Sequence, residues 1–163
     1  MINIIEAKET EVCEIRQLLL KVWRDTFSGI LEDHLVSEIP LEAYEYKLLE
    51  SQIQNADIKF LVARNDDGMI VGVINAKHEK QTLYIHRLYV DRSFQRQGIG
   101  VRLIEEMTHR FPNARKIILE VIDKNVNGIE FYLKNGFSIV GKNNNIINDN
   151  ILDVLVLEKE IMI

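Results

Sequence analysis

Residues 91–103, DRSFQRQGIGVRL, hold the most concentrated chemistry in the chain: Gly98 and Gly100 stand one residue apart behind Gln95, Arg96 and Gln97, with Arg92 and Arg102 on either side and an apolar run beyond. A strand that runs into a glycine-bearing loop and then a helix gathers several backbone N–H groups and the positive end of a helix dipole at one point, and such a point attracts phosphate. Glycine lets anionic oxygens approach the amides with no Cβ in the way, and arginine adds charge from the side. The same letters also describe a tight turn into a helix. Two better-known phosphate loops lack their parts here. A Walker loop needs Lys and Ser or Thr after its last glycine, where Val101 and Arg102 stand. A Rossmann loop needs its glycines after the first strand and an acidic residue further on, whereas a run of strands precedes this loop. What remains is a pyrophosphate site without a magnesium or ribose reader.

The elements around the loop follow from periodicity. Residues 2–5 read as a short strand, and Thr10 as the N-cap of a helix whose apolar positions Val12, Ile15, Leu19 and Val22 keep helical spacing and which ends near TFSGIL. Residues 37–53, SEIPLEAYEYKLLESQI, predict a second helix with Pro40 in its first turn and a buried stripe of Leu41, Tyr44, Leu48 and Leu49. IKFLVAR, MIVGVINAKHE and QTLYIHRLYV read as an antiparallel meander, its first turn supplied by NDDG at 65–68. GVRLIEEMTHRF reads as a helix stopped by Pro112, RKIILEVI as a central strand, and NGIEFYLKNG as a compact helix closed by Gly136. FSIVGK and ILDVLVLEKEI are two final strands joined by NNNIINDN, an Asn-rich segment expected to be a mobile loop. The fold class is therefore α/β: a mixed, mostly antiparallel twisted sheet of about seven strands with about four helices, in a single domain over 1–163. The strand-helix-strand crossover at 83–122 suits a parallel pair.

At this point LYVDRSFQRQGIGVRL resembles the acyl-coenzyme A loop of the GNAT superfamily of N-acetyltransferases, and NVNGIEFYLKNGF, residues 125–137, is similar to that family's second signature. The resemblance covers nearly the whole chain. It implies that the parallel fourth and fifth strands splay apart, and that the backbone of Leu88, Tyr89 and Val90 bonds the pantetheine arm of acetyl-CoA there as an added strand. By the same resemblance, the stretch Gln95, Arg96, Gln97, Gly98, Ile99, Gly100 and Val101 would hold the pyrophosphate, its amides from Arg96 through Val101 making the contacts. Asn125 bonds the pantetheine or orients the last helix, and Gly128, where the family has alanine, is expected to loosen that helix's start. Tyr132 points its hydroxyl at the thioester sulfur as general acid, and the N–H of Val90 stabilises the oxyanion of a tetrahedral intermediate formed by direct attack of the amine. Glu120, a carboxylate inside an otherwise apolar strand, is the first candidate for general base. The family's alternative, a glutamate on the preceding strand, aligns with Tyr84, which leaves His86 as second candidate.

The acceptor should lie between the first two helices and the splayed strands. The resemblance extends to a bacterial subgroup that includes polyamine acetyltransferases, and Asp25, Glu32, Asp33 and Glu38 would attract a small cationic amine or polyamine; a protein amine is the alternative acceptor. Trp23 and Phe27 are read as core. A regulatory acyl-CoA-binding module without catalysis is the competing function, but it has no need of Tyr132. The formal charge of −5 argues against a nucleic-acid partner. Cys13 is the only cysteine, read as a small buried hydrophobe; a lone thiol excludes an intrachain disulfide and a thiolate zinc site, no metal is expected, and the setting is cytoplasmic. No window approaches ~18 apolar residues, so no membrane span is expected. Val154, Leu155, Val156 and Leu157 are offered as an edge through which a homodimer would pair.

Overall fold

The computed structural model describes residues 1–147 and 149–162. Its strands are β1 (Asn3–Glu6), β2 (Ile58–Arg64), β3 (Ile70–Glu79), β4 (Thr82–Val90), β5 (Lys116–Ile122), β6 (Ser138–Ile147) and β7 (Asn150–Glu160); its helices are α1 (Val12–Phe27), α2 (Asp33–Ala43), α3 (Tyr46–Gln54), α4 (Ile99–His109) and α5 (Val126–Lys134). One sheet orders the strands β1-β2-β3-β4-β5-β7-β6, and every neighbouring pair is antiparallel except β4 with β5. Helices cover both faces. α4 and α5 pack Leu103, Met107 and Tyr132 onto Leu61, Ile74, Leu83, Ile117 and Leu157. α1, α2 and α3 pack Ile15, Leu19, Trp23, Ile39 and Leu49 onto Phe60, Val62 and Val73 on the other face.

Several expectations are corrected by packing. The helical region between α1 and β2 is two helices, which makes five α-helices among the described residues. α2 begins at Asp33, which puts Pro40 inside it. The carbonyl of Val36, which residue 40 would ordinarily bond, instead accepts the indole N–H of Trp23 at 3.0 Å, so the missing donor leaves no orphan. The chain then breaks at Tyr44 and restarts. The break splits the expected stripe: Tyr44 and Leu49 are 2% and 0% exposed, but Leu41 and Leu48 are 62% and 39% exposed. Thr10 caps nothing; it lies within a 3-10 turn, Glu9–Glu11, where the Glu11 carboxylate accepts the Lys8 N–H at 2.7 Å and pairs with Arg64. Cys13 faces outward and is exposed.

The Asn-rich segment is not a loop through most of its length. In β6, Asn143, Asn144 and Asn145 pair with Val154, Asp153 and Leu152 of β7, and the pairing continues to Ile147 with Asn150; position 148 lies outside the described residues. β7 is bonded on both sides, to β5 and to β6, so Val154 through Leu157 present no edge; the sheet's edges are β1 and β6.

Candidate functional site

The parallel pairing of β4 with β5 runs from Thr82 and Lys116 to Ile85 and Leu119 and stops there. Beyond it, Arg87, Leu88, Tyr89 and Val90 continue to pair with Asn75, Ile74, Val73 and Gly72 of β3, while His86 is the extra residue of a bulge. The two strands therefore diverge and open a gap. Asp91 sends its N–H to Val71 of β3 at 2.8 Å, and because consecutive strand N–H groups alternate in direction, that of Val90 is aimed into the gap.

The loop that follows is held open by its own side chains. Asp91 accepts the Ser93 N–H at 2.9 Å and pairs with Lys21 of α1 at 2.8 Å. Burial works against the Asp91 charge, but the lysine and the Ser93 amide outweigh it and hold its carboxyl below the ordinary carboxylate value. Gln95 donates to the Val90 carbonyl at 3.0 Å. Arg96 and Gly98, at φ +61° and +80°, swing the chain into α4, and Gly98 is that helix's N-cap with open space where a Cβ would stand. Gly100 answers a different need: a Cβ there would lie 3.0 Å from the ring of Phe131, so α4 and α5 meet at this glycine.

A cleft of about 1130 Å³ joins the loop, the gap and α5. Gln95, Arg96, Gly98, Ile99, Gly100, Val101, Leu88, Tyr89, Val90, Asn125, Glu120 and Tyr132 all line it. Gln97 is not among its lining residues, and Arg102 reaches away to the carbonyl of Ile2 at 3.1 Å. Of the acidic residues expected to draw a cationic acceptor, Asp25 lines the cleft and Glu32, Asp33 and Glu38 do not. A smaller cavity of about 160 Å³ beside Glu6, Ile53 and Phe60 lies apart from all of these groups.

Tyr132 is 9% exposed, its ring edge-on to Phe131 and Phe137 at 5.1 and 5.3 Å. Burial, with Tyr89 adding to it, pushes its phenol above the ordinary value, so it keeps its proton. Asn125 caps α5 by accepting the Gly128 N–H at 3.0 Å, and a Cβ at 128 would lie 2.5 Å from the Asn125 amide. Glycine there makes room for the cap rather than loosening it. β5 alternates: Leu119 and Val121 are buried among α4 and α5, and Glu120 is exposed on the opposite face, 3.4 Å from the Asn143 amide. Its setting is a cleft wall, not an apolar interior. His86 is held below its ordinary value by burial and by Arg87 and Lys77, against the pull of Glu120 and Glu79, so it is mostly neutral at neutral pH.

One group is absent from the sequence reading. The Tyr44 hydroxyl bonds that of Tyr89 at 3.0 Å with the rings edge-on, and the Arg87 guanidinium stands 5.0 Å over the Tyr44 ring while donating to the Ala43 carbonyl at 2.9 Å. Tyr44 reads in sequence as part of a helical stripe, and no local spacing links it to residues more than forty positions on. Among the described residues no cluster of His, Cys, Asp or Glu is arranged to hold a metal, and no helix is long and apolar enough to cross a membrane.

The chain is 28% identical over 145 residues to a probable N-acetyltransferase of Mycobacterium tuberculosis, covering 86% of this chain and 82% of that one. It is 27% identical over 133 residues to an uncharacterized N-acetyltransferase of Methanocaldococcus jannaschii, with 71% of this chain and 58% of the relative covered. The fold is similar to that of the PaiA N-acetyltransferase of Thermoplasma acidophilum in complex with coenzyme A (TM-score 0.86, 23% identity, 99% of both chains) and of a GNAT family acetyltransferase of Staphylococcus aureus (TM-score 0.76, 22% identity, 99% of this chain and 100% of that one). Residues 16–137 match the acetyltransferase (GNAT) family, and with the glycine loop, the splayed strands and the cleft between them, the chain belongs to that family of acyl-CoA-dependent N-acetyltransferases.

Proposed function

We propose that residues 1–163 act as one cytoplasmic domain that transfers an acetyl group from acetyl-CoA to a primary amine by direct attack. The observation that carries this is the coincidence, in one cleft, of a positive-φ glycine loop at a helix N-terminus, a stretch of β4 beside it that is unpaired on its β5 side, and a buried protonated tyrosine. The residues present fit the cosubstrate. The amides of Arg96 and of Gly98 through Val101 would take the pyrophosphate, with Arg92 and Arg96 lending charge, and the free main-chain edge of Leu88, Tyr89 and Val90 would take the amide-rich pantetheine arm. When bound, acetyl-CoA supplies an activated acyl carbonyl and a thiolate leaving group.

The chain's own residues then divide the work. The Val90 N–H faces the gap and stabilises negative charge on the acyl oxygen. Tyr132, kept protonated by burial, donates its proton to the departing sulfur. Asn125 fixes the start of α5 and so the bearing of Tyr132, seven residues on. Glu120 stands on the opposite face of the gap, open to solvent, where it removes a proton from the incoming ammonium directly or through water. Asp25 and Glu120, which line the cleft, would draw the ammonium of a small cationic amine, a polyamine among the candidates.

Thermal unfolding with saturating acetyl-CoA, desulfo-CoA and ATP tests this reading. Ligand at ~100 times its dissociation constant adds about 2.7 kcal/mol. Both CoA compounds should raise the midpoint, ATP should not, and thiol release should follow addition of a primary amine. No stabilisation by either CoA compound sinks the proposal; stabilisation with no thiol release across a wide amine set supports a binding module instead.

A further inference from the structure

The Tyr44 hydroxyl poses a question of proton placement. Tyr44 is 2% exposed, burial holds its phenol well above the ordinary value, and Tyr89 is the only hydroxyl partner of its oxygen among the described residues. A buried phenol needs an acceptor for its proton. If Tyr89 were the donor in the 3.0 Å bond, the Tyr44 proton would be left without one. Tyr44 is therefore the donor and Tyr89 the acceptor. Arg87 reinforces this direction: its guanidinium stands over the Tyr44 ring, and its Nε is buried with no partner, so its charge falls on the phenol and makes Tyr44 the better donor.

The consequence lies at Tyr89, which lines the cleft whereas Tyr44 does not. Its own O–H is then not spent on the Tyr44 bond, and Tyr89 stands close enough to Tyr132 to raise that phenol further. Tyr89 packs with the α1–α3 core while its neighbours Leu88 and Val90 pack with α4. It therefore leans out over the same face of the sheet as Glu120, on the other bank of the gap.

We propose that Tyr89, held by Tyr44, is a specificity-determining residue that donates a hydrogen bond to an oxygen of the acceptor, so that the preferred substrate is an α-amino carbonyl compound, an amino acid derivative or the amino end of a peptide, rather than a polyamine. A polyamine has no oxygen to accept such a bond, and the guanidinium of Arg87, which has no carboxylate partner among the described residues, disfavours a second ammonium. The inference rests on the acetyltransfer reading above.

The test compares alaninamide, trialanine amide and propylamine as acceptors for the native chain, Tyr89→Phe and Tyr44→Phe. The quantity read is the ratio of kcat/KM for each carbonyl-bearing amine to that for propylamine, which cancels any loss common to all amines. Tyr89→Phe should lower that ratio about tenfold, the size of one good hydrogen bond to substrate, and Tyr44→Phe should lower it less. Whichever of alaninamide and trialanine amide is faster identifies the source of the α-amino carbonyl, and either supports the proposal. An unchanged ratio in Tyr89→Phe, or spermidine outperforming both carbonyl-bearing amines, overturns it. Should acetyl-CoA stabilise the chain while no amine is acetylated, the transfer reading fails separately. Binding of N-acetylalaninamide and N-propylacetamide to the CoA-saturated protein then decides: tighter binding of the first, lost in Tyr89→Phe, supports the donor, and equal binding removes it.

Discussion

On one bank of the β4–β5 gap the stretch from Val90 to Val101 offers chiefly main chain: amides turned by Arg96 and Gly98 into the start of α4, and strand N–H groups with no strand to bond. On the face of the sheet that packs against α1–α3, Arg87 and Tyr89 from β4 and Glu120 from β5 offer side chains, the first two fixed by Ala43 and Tyr44, far away in sequence. The first is specified by backbone conformation, which only a few residue types can supply. The second is specified by identity and packing, and each member is separately replaceable. A main-chain site should thus be sensitive at its glycines and tolerant elsewhere, whereas a side-chain site should answer at every position with an effect particular to that group.

The largest expected effect belongs to Tyr132, a side chain that works against the ligand of the main-chain bank. Tyr132→Phe should lower kcat by about 100-fold or more, within the usual range for a positioned proton donor, with the acetyl-CoA melting shift retained. Equal turnover in the variant removes it from the acid role. Gly98→Asp should come next, because it combines a strained positive φ with a carboxylate in the phosphate cradle; affinity for acetyl-CoA should fall about 100-fold, erasing the roughly 2.7 kcal/mol of ligand stabilisation. Gln97→Ala, whose residue does not line the cleft, should leave that stabilisation in place, and a comparable loss there would break the contrast between the two banks. Glu120→Gln should reduce kcat/KM by about tenfold near neutral pH and abolish the acidic limb of the pH–rate profile. If the limb persists at the same pH, His86 or an amine that arrives neutral takes its place.

The smallest effect is expected at Asp91, which ties α1 to the loop. Its folded carboxyl sits below the ordinary value, so its contribution to stability is present above about pH 4 and is lost as pH falls through the depressed folded pKa. Asp91→Asn should cost about 1 kcal/mol at neutral pH and flatten that part of the stability profile, measured by urea unfolding at several pH values.

The same contrast explains what could be read in advance. The glycine loop, the meander, α4 and α5 were legible because turn chemistry and periodicity act over a few residues, whereas the divergence of β4 from β5 followed only from the family resemblance. Gly136 announced the C-terminal end of α5 in the same way. The region from Thr10 to Gln54 was less so. Its helix break depends on how Tyr44 packs under Arg87, and Pro40 survives within α2 because Trp23, seventeen residues earlier, occupies the vacated carbonyl. Glu120 was found for a reason the fold corrects: it is acidic on an exposed face, not in a buried strand. The Asn-rich segment misled because composition outweighed pairing, and β7 looked like an edge because a strand near the end of a sequence need not lie at the end of a sheet.

That last feature bears on how the molecule assembles. β6 touches the sheet only through β7, the strand that follows it in the chain, and β7 must slot against β5, whose partner register spans Lys116–Ile122 with Val154–Glu160. The bank that carries Glu120 therefore has one neighbour missing until the chain has run past both strands, while the β2–β3–β4 meander and α4 can form from contiguous sequence. A chain lacking β7 would keep the loop with its own strand and helix but lose the strand that bonds the outer side of β5, which carries Glu120.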